Sequence, residues 1–224
     1  MKTAKAPGSR EPFWTAERLK AERIGIVLAG GRSERMGTDK AFLEIAGQTL
    51  LERAVQVVRN VCDPDSVILV SGRQAQTMSS VESVPDRVPQ LGPLGGIASC
   101  VKYYRDRARE VDFIKRLFLV LPIDMPVIKP ATLTKLFLEI GSADAIHFDG
   151  RALPLVFRPT EKVLNFLENE LPKLEPKKRS LREFETFITA KTISEAGSTE
   201  DFRNVNTPEE WQKFLQSEKD GSTK

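Results

Sequence analysis

The chain has 224 residues, 40% of them hydrophobic, which is long enough for one well-buried α/β domain. Its 34 basic and 31 acidic residues leave a net charge of only +3, which argues against general nucleic-acid binding and makes any anion site local. No apolar run approaches the ~20 residues of a membrane span, and the amino-terminal lysines precede no hydrophobic segment. Neither membrane insertion nor a secretory signal is expected, and a soluble, reducing, cytoplasmic setting follows.

Residues 1–23 are polar and carry Pro7, Gly8 and Pro12, so they read as an extension, disordered at first, with a short helix over 13–23 anchored by Trp14. Ile24 to Leu28 is an apolar run that predicts a buried first strand. The stretch after it, Leu28 to Lys40, reads Leu-Ala-Gly-Gly-Arg-Ser-Glu-Arg-Met-Gly-Thr-Asp-Lys. Glycines let the backbone turn tightly so that N–H groups point at an anion, and Arg32, Arg35 and Lys40 add full charges. This is a phosphate-holding loop, against the plainer reading of a basic solvent-exposed turn. It is not a Walker A motif, because Thr38-Asp39 follows Gly37, and not the dinucleotide fingerprint, because Gly30 and Gly31 are adjacent.

The following segments alternate. The spacing of Leu50, Leu51, Ala54, Val55, Val57 and Val58 predicts a helix over 49–60. Residues 66–70 form a strand of the doubly buried type, a weaker helix begins near Arg73, and 81–84 is a third strand. Gly92-Pro93-Leu94-Gly95-Gly96 feeds a helix, with proline suited to its first turn. Leu117 to Leu121 is a central strand that runs into Pro122-Ile123-Asp124-Met125-Pro126. A carboxylate at the carboxyl end of such a strand sits where open α/β sheets bind ligands; the alternative is a turn aspartate. A helix is predicted over 131–140, strands over 143–148 and 155–157, and an amphipathic helix over 161–171.

Lysines and arginines crowd residues 173–182, read either as solvated surface or as a clamp for an anionic second substrate. A late strand at 189–193 precedes Asn204-Val205-Asn206-Thr207-Pro208-Glu209-Glu210. There Thr207 is a helix cap, Pro208 a first-turn residue, and the acidic pair suits the helix dipole. Asn204 and Asn206 lie outside that explanation and are available for polar contacts. Cys62 and Cys100 form no metal or disulfide pattern and read as buried thiols. His147, the single histidine, is expected near the cleft or at the surface. The expected fold is a single Rossmann-like three-layer α/β domain over 24–217, with a mostly parallel central sheet flanked by helices, and 218–224 as a tail.

Leu-Ala-Gly-Gly-x-Ser-x-Arg-Met-Gly-x-Asp-Lys at 28–40, Asp86 with Gly92-Pro93-Leu94, Asp124-Met125-Pro126 and Asn204 to Glu210 occur here in one order. This set resembles the nucleotidyltransferase superfamily, and specifically the molybdenum cofactor guanylyltransferases of the MobA type. The resemblance implies transfer of GMP from GTP to the terminal phosphate of molybdopterin or molybdenum-molybdopterin, with Mg²⁺ as cofactor and pyrophosphate released. It implies that Leu28, Ala29, Gly30 and Gly31 approach the guanine or ribose, and that Arg35 and Lys40 bind the triphosphate. Asp86 helps hold the guanosine, in a pocket lined by Gly92 to Gly96, Gly95 included. Asp124 binds the metal; Asn206 with Asn204 completes the metal or second-substrate site. Arg35, Lys40 and Asp124 are the catalytic set, and other cofactor-assembly proteins are implied partners. A transferase for another phosphorylated acceptor (a sugar phosphate or a CTP-dependent pterin), or a non-catalytic nucleotide-binding partner, is the alternative. Leu153-Pro154 stands where relatives often carry a polar residue before the proline.

Overall fold

A computed structural model of the chain describes residues 22–30, 39–72, 81–87, 91–109, 113–194 and 199–221. Strand β1, Arg23–Leu28, is buried from Ile24 onward. It pairs in parallel with β4, Ile68–Ser71, on one side and β6, Leu117–Pro122, on the other. Leu28 stands opposite both Ser71 and Pro122, so three adjacent strands end at one level. Strand β5, Val81–Val84, pairs in parallel with β4.

The far half of the sheet mixes directions. Strand β7 is Ala145–Phe148, β8 is Leu155–Phe157 and β9 is Ala190–Ile193. β8 runs antiparallel between β6 and β7, while β9 joins β7 in parallel. The order is β5-β4-β1-β6-β8-β7-β9, with a two-residue hairpin β2–β3 at Glu44–Ile45 and Gln48–Thr49 standing apart. This is the expected three-layer, mostly parallel α/β fold.

Alternation along each strand feeds two cores. Val27, Val70 and Leu121 face helix α1, Leu50–Val61, and helix α3, Pro130–Glu139, in one apolar cluster with Val55, Val58, Leu133 and Leu136. Ile24, Ile26, Leu69 and Phe118 face helix α2, Gly92–Arg105, in another with Leu94, Ile97 and Tyr104. Helix α1 starts in a capping box. Thr49 Oγ1 accepts from Glu52 N–H at 3.1 Å, and the Glu52 carboxylate accepts from Thr49 N–H at 2.8 Å. Gly25 lets α1 lie on β1, since a Cβ there would stand 2.3 Å from Val58 Cγ1.

A third, smaller cluster joins Ile45 and Leu50 to Val205, Trp211 and Phe214. The last three come from helix α6, Pro208–Gly221, which follows α5, Leu181–Phe187, in the chain, and from the segment just before α6.

Several boundaries differ from the sequence reading. The second long strand begins at Ile68 instead of 66, because Ser66 N–H closes a turn on Asp63 O at 2.8 Å. The strand expected from 143 begins at Ala145, because the Asp144 carboxylate accepts hydrogen bonds from Thr160 Oγ1 and Thr189 N–H, both at 2.8 Å. The helix expected over 161–171 is α4, Glu161–Asn165, followed by a wider π turn, Phe166–Glu170. Pro172 lacks the N–H a continuing α-helix needs, and its ring crowds the carbonyl four residues back. The wider turn still buries Val163, Phe166, Leu167 and Leu171 together. The helix expected near Arg73 and most of the extension 1–23 lie outside the described residues.

Candidate functional site

The shared level at which β4, β1 and β6 end opens into a cleft of ≈ 1270 Å³. Ligand pockets commonly measure roughly 300–1,000 Å³, so this cleft is larger than most single-ligand sites.

One half of the cleft is backbone. Leu28, Ala29 and Gly30 line it directly after β1. Gly72 lies at φ +80°, and a Cβ on it would stand 2.6 Å from Gly30 Cα, so two backbones nearly touch. That contact brings the Asp86 carboxylate beside Gly30, and Ser71 Oγ donates to Asp86 Oδ1 at 3.0 Å. Gly92, at φ +60°, and Pro93 start α2 along the same wall, and Leu91 supplies no side-chain cap there. Gly96 packs directly on Ser71, since a Cβ would fall 2.1 Å from Ser71 Oγ. Gly95 is buried within α2, its N–H bonded to Leu91 O at 3.3 Å, and it is not part of the cleft wall. Helical phase turns it inward and presents Gly96 to the cleft.

The other half is built around Asp124. The turn after β6 is fixed by Ile123 N–H donating to Leu28 O at 3.2 Å. Asp124 Oδ1 is buried and has no hydrogen-bond donor. Burial raises the carboxyl above its usual range; the charge of Lys40 works against that shift and Glu210 adds to it. Lys40 opens a 3₁₀ turn, Lys40–Phe42, capped by the Asp39 carboxylate accepting from Ala41 N–H at 3.0 Å. Its Nζ donates to Asn206 Oδ1 at 2.8 Å.

Val205 explains both asparagines. Its side chain is buried in the third cluster and its N–H donates to Asp124 O at 2.9 Å, while Asn204 and Asn206 on either side line the cleft. The Glu210 carboxylate accepts from Asn206 N–H at 2.6 Å and Thr207 N–H at 3.1 Å, and Thr207 Oγ1 accepts from Glu210 N–H at 3.2 Å. Glu210 thereby caps α6 and holds Asn206 at once.

A divalent cation fits Asp124 chemically, because a buried carboxylate oxygen without a donor is a hard oxygen ligand. Among the described residues no three His, Cys, Asp or Glu side chains gather as a metal cage. A divalent ion held there would take one protein carboxylate and complete its oxygen shell from groups outside the chain.

The structure thus brings Leu28, Ala29, Gly30, Lys40, Asp86, Gly92, Asp124, Asn204 and Asn206 to one cleft. Gly31 and Arg35 lie outside the described residues. His147 corrects the expectation of a cleft or surface position. It is buried, with Nδ1 at 3.0 Å from Phe148 O and Nε2 at 3.4 Å from Glu185. In the basic run, Lys177 and Lys178 are exposed and absent from the cleft wall, and Arg179 Nε donates to Leu174 O at 2.8 Å. Only Leu181 of this stretch lines the cleft, so the clamp reading fails for these lysines. Sequence reasoning missed Ser71, Arg151 and Leu181, and it marked Leu153 only as a departure from relatives before Pro154. A serine closing an apolar strand was the one available signal, for Ser71.

Ligands of open α/β sheets sit outside the carboxyl ends of the strands, and the glycine-floored wall facing Lys40 and Asp124 there marks a nucleotide-handling transferase class. A solved molybdopterin-guanine dinucleotide biosynthesis protein A from Archaeoglobus fulgidus shares the fold. It has a TM-score of 0.62 and 22% identity over 86% of this chain and 97% of that one. The family described as the MobA-like NTP transferase domain matches residues 25–185, and the chain belongs to it. A molybdenum cofactor guanylyltransferase from Xanthomonas euvesicatoria is 33% identical over 203 residues, 90% of this chain and 99% of the relative. A probable molybdenum cofactor guanylyltransferase from Geobacillus is 32% identical over 198 residues, 84% of this chain and 95% of the relative.

Proposed function

We propose that this protein is a molybdenum cofactor guanylyltransferase, moving GMP from GTP to the terminal phosphate of molybdopterin or molybdenum-molybdopterin with release of pyrophosphate. The observation that carries the reading is the junction where Val205 N–H meets Asp124 O and Asn206 receives Lys40, inside a cleft of ≈ 1270 Å³. Identity of 33% along nearly the whole of a relative of that name supports it.

In this reading Leu28 to Gly31 and α2 border the nucleoside. The Asp86 carboxylate, oriented by Ser71, accepts the two donors that guanine presents together at N1 and N2. Adenine and cytosine lack that donor pair. Lys40, positioned by Asn206, meets the phosphates with Arg35. Asp124 is the residue that would hold Mg²⁺, whose chemistry when bound is neutralisation of phosphate charge. The attacking group is already an anion, so no protein nucleophile is needed and the chain's work is positioning and charge balance. A cytoplasmic setting and contacts with other cofactor-assembly proteins belong to the same proposal.

The test is pyrophosphate release with GTP, ATP or CTP, molybdopterin as acceptor, and Mg²⁺ present or chelated. Turnover with GTP alone, lost on chelation, is expected, together with tighter calorimetric binding of GTP. Equal binding of all three nucleotides, or turnover only with CTP or a sugar phosphate, would overturn the assignment.

A further inference from the structure

Gly150, Arg151, Ala152 and Leu153 form a stretch of the cleft wall to which the nucleotide reading assigns no residue. It begins where β7 ends. Gly150 sits at φ +70° and Arg151 N–H closes the turn on Phe148 O at 3.1 Å, which turns the chain back toward β8. Strand β8 separates β7 from β6, so Arg151 enters the cleft from the side of Asp124 away from β1 and β4.

An aromatic platform carries its side chain. The guanidinium lies over the Phe202 ring at 4.7 Å, and Phe202 packs edge-on against Phe148 at 4.8 Å. Phe202 stands two residues before Asn204, which places the arginine and the asparagine pair in one wall. Lys40 and Arg151 are the two cationic residues among those described that line the cleft. Lys40 donates to Asn206 and continues the phosphate loop, while Arg151 Nη1 donates to Phe202 O at 3.5 Å beside the ring it covers.

The second substrate must be anionic at its reacting end. A phosphate monoester carries about −1.5 to −2 charge at pH 7 and has to approach the α-phosphate of a nucleotide that is itself an anion. The electrostatic opposition needs a cation on the acceptor's side of the cleft, and a planar guanidinium pairs with phosphate in bidentate fashion. We propose that Arg151 binds the acceptor's phosphate and aims its attacking oxygen. This rests on the transferase reading of the cleft. An acceptor phosphate oxygen forms a bond to Pα of GTP, and the bond from Pα to the α,β-bridging oxygen breaks. The electron pair leaves on pyrophosphate. A dianion and a tetra-anion give a dianionic diphosphate adduct and a tetra-anionic pyrophosphate, and no proton moves.

The full-length protein tests this with Arg151→Gln and Arg151→Lys, and with Lys177→Gln as an exposed control on the basic run. Pyrophosphate release with GTP and molybdopterin is measured beside two equilibria. One is calorimetric binding of Mg·GTP; the other is ³¹P titration of inorganic phosphate into protein saturated with a non-hydrolysable GTP analogue. Arg151→Gln is expected to raise the acceptor KM at least tenfold and to weaken inorganic phosphate similarly, while GTP affinity stays within twofold. Arg151→Lys recovers part of the loss, and Lys177→Gln matches wild type. Unchanged acceptor KM and phosphate affinity in Arg151→Gln, or an equal loss of GTP, overturns the inference and leaves the guanylyltransferase reading intact. If wild-type protein ignores molybdopterin while Arg151→Gln still loses phosphate affinity, the guanylyltransferase reading is overturned and the anion site at Arg151 stands. If Arg151→Gln fails to fold by circular dichroism, Arg151→Lys decides by the same criterion, a selective rise in acceptor KM.

Discussion

Asp124 sits in a conflict that its neighbours only partly resolve. Burial favours the neutral acid and Lys40 favours the carboxylate. Because its folded-state pKa is raised, the ionised form costs stability. That cost is absent below the ordinary carboxylate pKa and appears as pH rises through the raised value. Asp124→Asn removes the charge at nearly constant shape. It should raise Tm in the metal-free protein at pH 7.5 by about 2–4 °C, the equivalent of ~1 kcal/mol at this size. Pyrophosphate release should fall by on the order of 10²–10³ or more. A lowered Tm in differential scanning calorimetry would mean that the carboxylate is structural. Asp124, Lys40 and Asn206 were legible in the sequence because each is a polar residue that no helix or strand requires. Ser71 was not, since one hydroxyl at the end of an apolar run has many ordinary explanations. The inward turn of Gly95 depends on helical phase against a strand fixed only by tertiary packing.

At the scale of elements, α2 and β4 approach one another through a contact with no slack. A methyl on Gly96 would meet Ser71 Oγ at 2.1 Å and Ser71 Cβ at 3.0 Å, both near a rigid strand. Gly96→Ala should therefore displace either the helix or the Ser71 hydroxyl that holds Asp86, destabilising the fold by about 1–3 kcal/mol in urea unfolding. GTP binding should weaken with it. Wild-type stability and affinity in that variant would show that the contact can relax. Strands β1, β4 and β6 were readable because strands buried on both faces appear as unbroken apolar runs. The antiparallel direction of β8 was not, because three apolar residues carry no direction; their partners on β6 and β7 decide it. The π turn at Phe166–Glu170 was hidden for a similar reason, its two buried residues, Phe166 and Leu167, continuing the α-helical stripe from Val163 nearly as well.

For the molecule as a whole, buried carboxylates join elements far apart in sequence: Asp144, before β7, reaches the residues that precede α4 and β9, and Asp201 reaches the start of α3. Burial pushes Asp144 up, but Thr189 N–H and the Thr160 hydroxyl outweigh it and hold the group below its ordinary range. Asp201 is likewise held down against burial by the Thr132 hydroxyl at 2.6 Å and by Lys129 at 2.9 Å. Depressed pKa values mean stability that is present above the ordinary carboxylate pKa and lost as pH falls through the lower folded-state values. The urea midpoint should hold from pH 7 to about 5 and then drop below roughly pH 4, where unfolded aspartates take up protons. Asp144→Asn should lower the neutral-pH midpoint and flatten part of that drop; an unchanged acid limb would remove Asp144 from the account. This ledger of joints was invisible in the sequence, where Asp144 and Asp201 look like ordinary surface aspartates.

The hydrogen bond from Val205 to Asp124 also sets an order of events during synthesis. Strands β1, β4 and β5 and helix α2, with Asp86 between them, are complete within the first half of the chain. Asn206, which holds Lys40, is added about a hundred residues after α2 ends. A nascent or prematurely terminated polypeptide could present a nucleotide wall long before it had the means to use it. Asn204 to Glu210 therefore decide whether that wall belongs to a working transferase or only to a binder of nucleotide.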